Sequence, residues 1–239
     1  MTARQVGLLA PAALDVWEAG LSMTPAARAL LLLGAAGHRD AADWAVGERD
    51  RALIRDCVPL GRSLDAVTDC PVCGAQLDVE LDPAALVTPT TGDSQVSVEY
   101  DGYRVVARLP TGADLAQLPG SLADEELRRT LLERCILSAD LAGNAVAELP
   151  EAVELAVESA LEEADPGADI RLALSCAECG AEWSESLDPV RFAWTSVETA
   201  ARRLAVDVHV LAQAYGWSEA EILGLSPFRR RLYLSAVQP

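Results

Sequence analysis

The N-terminal part of the chain carries apolar residues at helical spacing. Residues 11–61 show this pattern, which predicts a series of helices. Thr24-Pro25 is typical of a helix start, because a threonine side chain caps free backbone N–H groups and proline fits the first helical position. Residues 48–60 continue the pattern, with Cys57 on the apolar face. We therefore expect a helical N-terminal segment.

The C-terminal part shows the same spacing. Residues 197–215 predict a long amphipathic helix. Ser218, with Glu221 three positions later, is typical of a capping box, in which each side chain bonds the backbone N–H of the other residue. Ser226-Pro227 predicts the start of one more helix, which carries three consecutive arginines. Helical segments are thus expected at both ends of the chain.

Between these segments, runs with apolar residues at every second position predict short strands. Asp101-Gly102 lies between two such runs and indicates a hairpin, because a type I′ turn needs positive φ at both central positions. The predicted strands are residues 64–68, 76–81, 96–100, 103–109, 170–174 and 182–187, and the predicted helices of this middle part are residues 122–137 and 151–164.

Two cysteine motifs in the chain are copies of one pattern. Residues 70–83, Cys-Pro-Val-Cys-Gly-Ala-Gln-Leu-Asp-Val-Glu-Leu-Asp-Pro, align without a gap to residues 176–189, Cys-Ala-Glu-Cys-Gly-Ala-Glu-Trp-Ser-Glu-Ser-Leu-Asp-Pro. Seven of the fourteen positions are identical. Each copy is a Cys-x-x-Cys-Gly turn followed by a predicted strand that ends at Leu-Asp-Pro.

The repeated turns predict a metal site formed by Cys70, Cys73, Cys176 and Cys179. The two sulfurs of a Cys-x-x-Cys-Gly turn point the same way, and its glycine accepts the positive φ with which the chain leaves the turn. Two such turns can place four thiolates around one Zn²⁺ at about 2.3 Å. Because cysteine takes all four positions, none is left for a catalytic water, and we expect one structural zinc.

Other interpretations of these four cysteines stay open on the sequence alone. A redox pair normally places one Cys-x-x-Cys at the start of a helix, which two matched turns fit poorly. Disulfides are uncommon in the cytoplasm, where we expect this protein. Iron–sulfur clusters also bind four thiolates. The two remaining cysteines, Cys57 and Cys135, lie among apolar residues and are expected to be buried.

These elements predict an α+β fold: a split four-cysteine zinc-ribbon-like β subdomain with helical N-terminal, inserted and C-terminal segments. We expect the Asp101-Gly102 hairpin to extend the sheet around the zinc site. The predicted units are an N-terminal helical segment (1–62), the first zinc knuckle and hairpin (63–112), a helical insertion (113–169), the second zinc knuckle (170–190) and a C-terminal helical segment (191–239).

The net charge and the length of the apolar runs limit the kinds of partner that this chain can bind. The 239 residues include 37 acidic and 19 basic side chains, for a net charge of −18. This argues against nucleic acid as a partner, because such binding depends on a basic surface. The longest apolar run, residues 29–37, is far shorter than the roughly 20 residues of a membrane-spanning helix. We therefore expect a cytoplasmic protein with no membrane partner.

The C-terminal segment also carries a family resemblance. Residues 214–234, Ala-Tyr-Gly-Trp-Ser-Glu-Ala-Glu-Ile-Leu-Gly-Leu-Ser-Pro-Phe-Arg-Arg-Arg-Leu-Tyr-Leu, resemble the T4-type baseplate proteins of contractile tails, also called baseplate hub assembly chaperones. Residues 109–115, Leu-Pro-Thr-Gly-Ala-Asp-Leu, are similar to the central segment of that family. Trp17-Glu-Ala-Gly, Gly47-Glu-Arg-Asp and the paired cysteine turns resemble its contractile injection system branch.

The resemblance implies a non-enzymatic protein that helps to build, or lies in, the baseplate of a phage tail-like particle. Its expected partners are baseplate, spike, hub or inner-tube proteins. The residues agree with a non-enzymatic role, because the chain has no Gly-rich phosphate loop, serine elbow or metal-binding helix motif. The alternative is a zinc-ribbon adaptor in transcription or RNA processing.

Overall fold

The computed structural model describes residues 12–57, 64–82, 86, 93–119 and 123–237. Within them the fold is α+β, as predicted, with helices at both ends and three small antiparallel sheets. The helices are α1 (Ala13–Gly20), α2 (Pro25–Ala35), α3 (Val46–Cys57), α4 (Gly112–Ala116), α5 (Asp124–Cys135), α6 (Glu151–Ala164), α7 (Pro189–Tyr215), α8 (Glu219–Leu223) and α9 (Pro227–Val237). The strands are β1 (Leu64–Asp69), β2 (Gln76–Leu81), β3 (Gln95–Tyr100), β4 (Tyr103–Arg108), β5 (Ile136–Leu141), β6 (Asn144–Ala145), β7 (Arg171–Ser175) and β8 (Glu182–Ser186).

The two ends of the chain share one core, in which α7 packs against α1, α2 and α3. Helix α2 begins as predicted, with Thr24 Oγ1 accepting a hydrogen bond from the Ala27 N–H at 3.3 Å. Helix α7 begins at Pro189, earlier than the predicted residue 197, because the Asp188 side chain caps its first turn. The buried residues of this core are Val16, Ala29, Leu32, Leu33, Ala41, Ala52, Leu53, Cys57, Val190, Ala193, Trp194 and Val197.

The Asp101-Gly102 hairpin forms as predicted, with φ of 48° and 78° at these residues. The expectation that it extends the sheet around the cysteine site is wrong. Strands β3 and β4 instead belong to a separate four-stranded sheet with the order β3-β4-β5-β6. Helix α6 packs on this sheet and buries Val153 and Val157 against Val105 of β4. The hairpin therefore has its own apolar face, which α6 covers.

The region predicted as a helical insertion, residues 113–169, also contains strands. The predicted helix 122–137 ends at Cys135, and β5 starts at Ile136 and pairs with β4. A second tight turn at Ala142 and Gly143, both with positive φ, joins β5 to β6. Pairing with β4 overrides the local helical pattern here, since tertiary contacts outweigh intrinsic propensity.

Two attachments fix this sheet to the N-terminal helices. At the first, the N–H of Val46 donates to the carbonyl of Pro110, and the N–H of Gly112 donates to the carbonyl of Trp44, both at 3.0 Å. At the second, the N–H of Gly47 donates to Asp165 Oδ2 at 2.8 Å, inside the protein. The insertion is therefore held at its beginning and at its end.

A partly buried ion pair between the end of β4 and helix α4 stabilises the first attachment. Arg108 at the end of β4 donates to both carboxylate oxygens of Asp114 in α4, at 2.6 and 2.9 Å. The backbone N–H of Thr111 donates to the same carboxylate at 2.9 Å. The Arg108 hydrogen bonds, with that N–H, lower the pKa of Asp114 to about 2. The ionised form of Asp114 is therefore favoured by folding.

Replacing Asp114 by asparagine is expected to lower the free energy of unfolding by about 2 kcal/mol at pH 7. Because the folded pKa lies below the unfolded value of 3.8, this contribution is present above pH 4 and is lost as the pH falls toward 2. Urea unfolding at pH 7 and at about pH 2.5 measures the difference. The control Glu133→Gln removes an exposed pair with Arg129 and should cost less than about 0.5 kcal/mol. An Asp114→Asn effect of equal size at both pH values would contradict this account.

Candidate metal centre

The two cysteine turns have the same local structure. Cys70 directly follows β1, and its N–H donates to the carbonyl of Ala75 at 2.8 Å, while the N–H of Gly74 donates to the Cys70 carbonyl at 2.9 Å. The equivalent bonds of the second turn, which follows β7, have the same lengths. Gly74 and Gly180 have φ of 72° and 74°. The sequence repeat is therefore a structural repeat of two cysteine knuckles.

The fold brings together the sulfurs of the four predicted residues: Cys70, Cys73, Cys176 and Cys179 lie within 4.8 Å of one another. The Sγ atoms of Cys70 and Cys179 are 3.7 Å apart, and those of Cys73 and Cys176 are 3.6 Å apart. Four sulfurs at about 2.3 Å from a tetrahedral zinc are about 3.8 Å from each other. The cluster therefore has the spacing of a four-thiolate site and can hold one metal ion.

The local surroundings shift the pKa values of Cys70 and Cys73, both in the first turn, in opposite directions. The backbone N–H of Cys73 hydrogen-bonds the sulfur of Cys70 and lowers the pKa of that thiol to about 6. The backbone N–H of Ala75 favours the thiolate of Cys73, but the neighbouring sulfurs of Cys179 and Cys70 outweigh it and raise the pKa of Cys73 to about 12. A metal cation bound among the four sulfurs favours the thiolate form of every cysteine over the thiol form.

The cluster has an inner and an outer side. Cys70 and Cys176, the first cysteines of the two turns, are buried, whereas Cys73 and Cys179 are exposed. The other two cysteines, Cys57 and Cys135, are buried as predicted. Burial raises the pKa of Cys57 to about 12 and that of Cys135 to about 11, so both remain neutral thiols.

The repeated leucine of the two Leu-Asp-Pro copies joins both cysteine hairpins to the core, a role that the sequence pattern did not indicate. Leu81 and Leu187 are the equivalent leucines of the two copies, and both are buried against Ile54 of α3. Across the hairpins, Thr68 Oγ1 donates to Glu185 Oε2 at 2.7 Å. The identity of the leucine in both copies was the available signal, since a leucine present in both copies of a repeat is a candidate core residue.

Comparisons with protein-family models, with curated proteins and with solved structures gave no match to this chain. Among the described residues, no helix combines the length and the apolar character needed to cross a membrane.

Proposed function

We propose that Cys70, Cys73, Cys176 and Cys179 hold one structural Zn²⁺, and that this zinc site stabilises a non-enzymatic assembly protein. The observation that carries the zinc site is the group of four cysteine sulfurs within 4.8 Å of one another. A catalytic zinc keeps a position for water or substrate beside about three protein ligands, whereas four cysteines fill a tetrahedral zinc completely. The metal then serves folding and not chemistry.

The position of the site explains what the metal contributes. Cys70 and Cys179 are 109 positions apart in the chain, and the sheet of β3 to β6 lies between them in sequence. Strands β7 and β8 flank the second knuckle and helix α7 follows β8, while the core helix α3 contacts both knuckle hairpins through Ile54. One ion therefore ties the two halves of the chain to a shared core.

The assembly in which we place this protein is the baseplate of a contractile tail or contractile injection system. The support is the resemblance of residues 214–234. In this segment Ser218 and Glu221 form the capping box, and Tyr215, Trp217 and Tyr233 form one aromatic cluster with ring centroids 4.6 to 5.8 Å apart. The resembling residues thus act in packing and capping, as a scaffold or assembly role requires.

Affinity purification of the tagged full-length chain from its native host tests this function. We expect spike, hub, inner-tube or other baseplate proteins to co-purify, and we expect deletion of the gene to reduce the number of sheathed particles seen by electron microscopy. Intact particles after deletion, together with the absence of all tail proteins from the purified sample, would contradict the proposal.

The alternative, a zinc-ribbon adaptor in transcription or RNA processing, predicts different behaviour. Such a protein should be retained on DNA or RNA columns and released by salt, since binding to phosphates is strongly salt-dependent. With a net charge of −18, we expect this chain to pass through both columns at about 0.1 M salt.

A further inference from the structure

The outer side of α9 carries an apolar strip that the described part of the chain leaves uncovered. Phe228 is 70% exposed and Leu232 is 57% exposed. They are four residues apart and therefore lie next to each other on one side of the helix. Ser235 and Ala236 continue this side by another turn and are also exposed. Adjacent large apolar side chains on a surface indicate an interaction site more strongly than scattered ones.

The opposite side of α9 is firmly attached to the protein. Arg230 is buried, and its Nε lies 3.3 Å from Asp207 Oδ2 on α7. Tyr233 packs edge-on against Trp217 and Tyr215, with centroid distances of 5.0 and 5.8 Å. Because the helix is already fixed, a partner that binds its outer side has little ordering entropy to overcome.

Two arginines border the apolar strip. At about 100° per residue, Arg231 lies on one side of the Phe228–Leu232 line and Arg229 lies on the other. Both side chains are exposed, and neither forms an ion pair with another residue in the described ranges. We call Phe228, Arg229, Arg231 and Leu232 together the α9 strip.

The α9 strip lies at the basic end of an acidic protein. From residue 199 to residue 237 the chain has five basic and three acidic residues, whereas residues 93–170 have five basic and seventeen acidic residues. A basic partner is attracted to the body of this protein but repelled at the α9 strip. A partner with local acidic groups is attracted at the strip and repelled by the acidic body, which favours one orientation of the partner.

We propose that the α9 strip docks into an apolar groove of another protein whose rim carries aspartate or glutamate. Phe228 and Leu232 occupy the groove as helical anchors one turn apart, and Arg229 and Arg231 bond the carboxylates on its two sides. A nucleic acid fits poorly, because the centre of the strip is apolar. Two copies of this chain paired through the same strip fit poorly, because the arginines at positions 229 and 231 of both copies would then face each other. This docking surface does not depend on the baseplate assignment.

Photo-crosslinking in the native host tests the proposal. Phe228→p-benzoylphenylalanine keeps an aromatic side chain at the centre of the strip, and the same replacement at Leu155, which is 53% exposed on α6, is the matched control. After irradiation, mass spectrometry identifies the attached peptide. We expect position 228 to capture a peptide of another protein with apolar residues bordered by Asp or Glu, and position 155 not to capture it.

Charge reversal separates docking from chance proximity. Arg229→Glu with Arg231→Glu should reduce the cross-link at position 228 by about tenfold or more, while an unchanged thermal melt shows that the fold is intact. Capture of this same chain, capture of nucleic acid, or a yield equal to that at position 155 would each overturn the proposal. Capture of an acidic groove on a protein unrelated to tails supports the docking surface and contradicts only the baseplate function.

Discussion

Cys70→Ser is expected to abolish metal binding and to unfold both cysteine hairpins. The serine hydroxyl is a poor zinc ligand, and the three remaining thiolates leave the tetrahedral site incomplete. Structural zinc sites contribute about 10–16 kcal/mol of apparent binding free energy in small peptides, which equals or exceeds the stability of a whole domain. Elemental analysis should find about one zinc per chain in the wild type and essentially none in the variant.

Cys57→Ala is the matched control for this experiment. Cys57 is a buried cysteine outside the sulfur cluster, so its removal should leave the zinc content unchanged and cost only about 1 kcal/mol of stability. A chelator should lower the melting temperature of the wild type and of this control to that of Cys70→Ser. The zinc proposal would be refuted if the purified wild-type protein contained iron and sulfide in place of zinc, or if the four cysteines of the sulfur cluster were joined as disulfides.

Gly47→Ala is expected to lower the free energy of unfolding by about 3 kcal/mol. A Cβ at this position overlaps Oδ1 of Asp165 and comes within 2.9 Å of the backbone nitrogen of Ala168. The carboxylate must then move, which breaks its 2.8 Å hydrogen bond to the N–H of residue 47 and leaves a buried acceptor unpaired. Urea unfolding of wild type and variant at one pH measures the loss.

Gly34→Ala tests whether glycine replacement alone has such an effect. Gly34 lies in α2, and a Cβ built there meets nothing within 4 Å. The change should raise the free energy of unfolding by about 0.5 kcal/mol, because alanine loses less backbone entropy in a helix than glycine does. If Gly47→Ala were as harmless as Gly34→Ala, the contact between α3 and the end of the insertion would not hold the two parts together.

The local elements with a strong chemical signal were predictable. The helix start at Thr24-Pro25, the capping box of Ser218 and Glu221 and the turn at Asp101-Gly102 are present as predicted. Each depends on side-chain and backbone groups only a few residues apart, so distant contacts are not needed to form it. The four-cysteine cluster was also predictable, because a repeated knuckle motif needs a second copy to complete a metal site.

The errors arose where pairing partners are far apart in sequence. The apolar pattern around Ile136 fits a helix, and only the presence of β4 beside it makes β5 the better solution. The same pattern does not reveal that α6 covers the β3–β4 face, or that this hairpin belongs to a sheet separate from the knuckle hairpins. Identifying the strand or helix that packs on a face requires the geometry of the whole chain.

The sequence by itself determined the cysteine repeat, the helical ends and the turn residues, because these follow from backbone preferences and ligand spacing within short segments. Only the tertiary structure decided that Leu81 and Leu187 meet over Ile54, that Gly47 lies against Asp165, and that Phe228 and Leu232 face outward. Apolar side chains look alike in a sequence whether they are buried or exposed. Which of them loses its contact with water depends on segments brought together from distant parts of the chain.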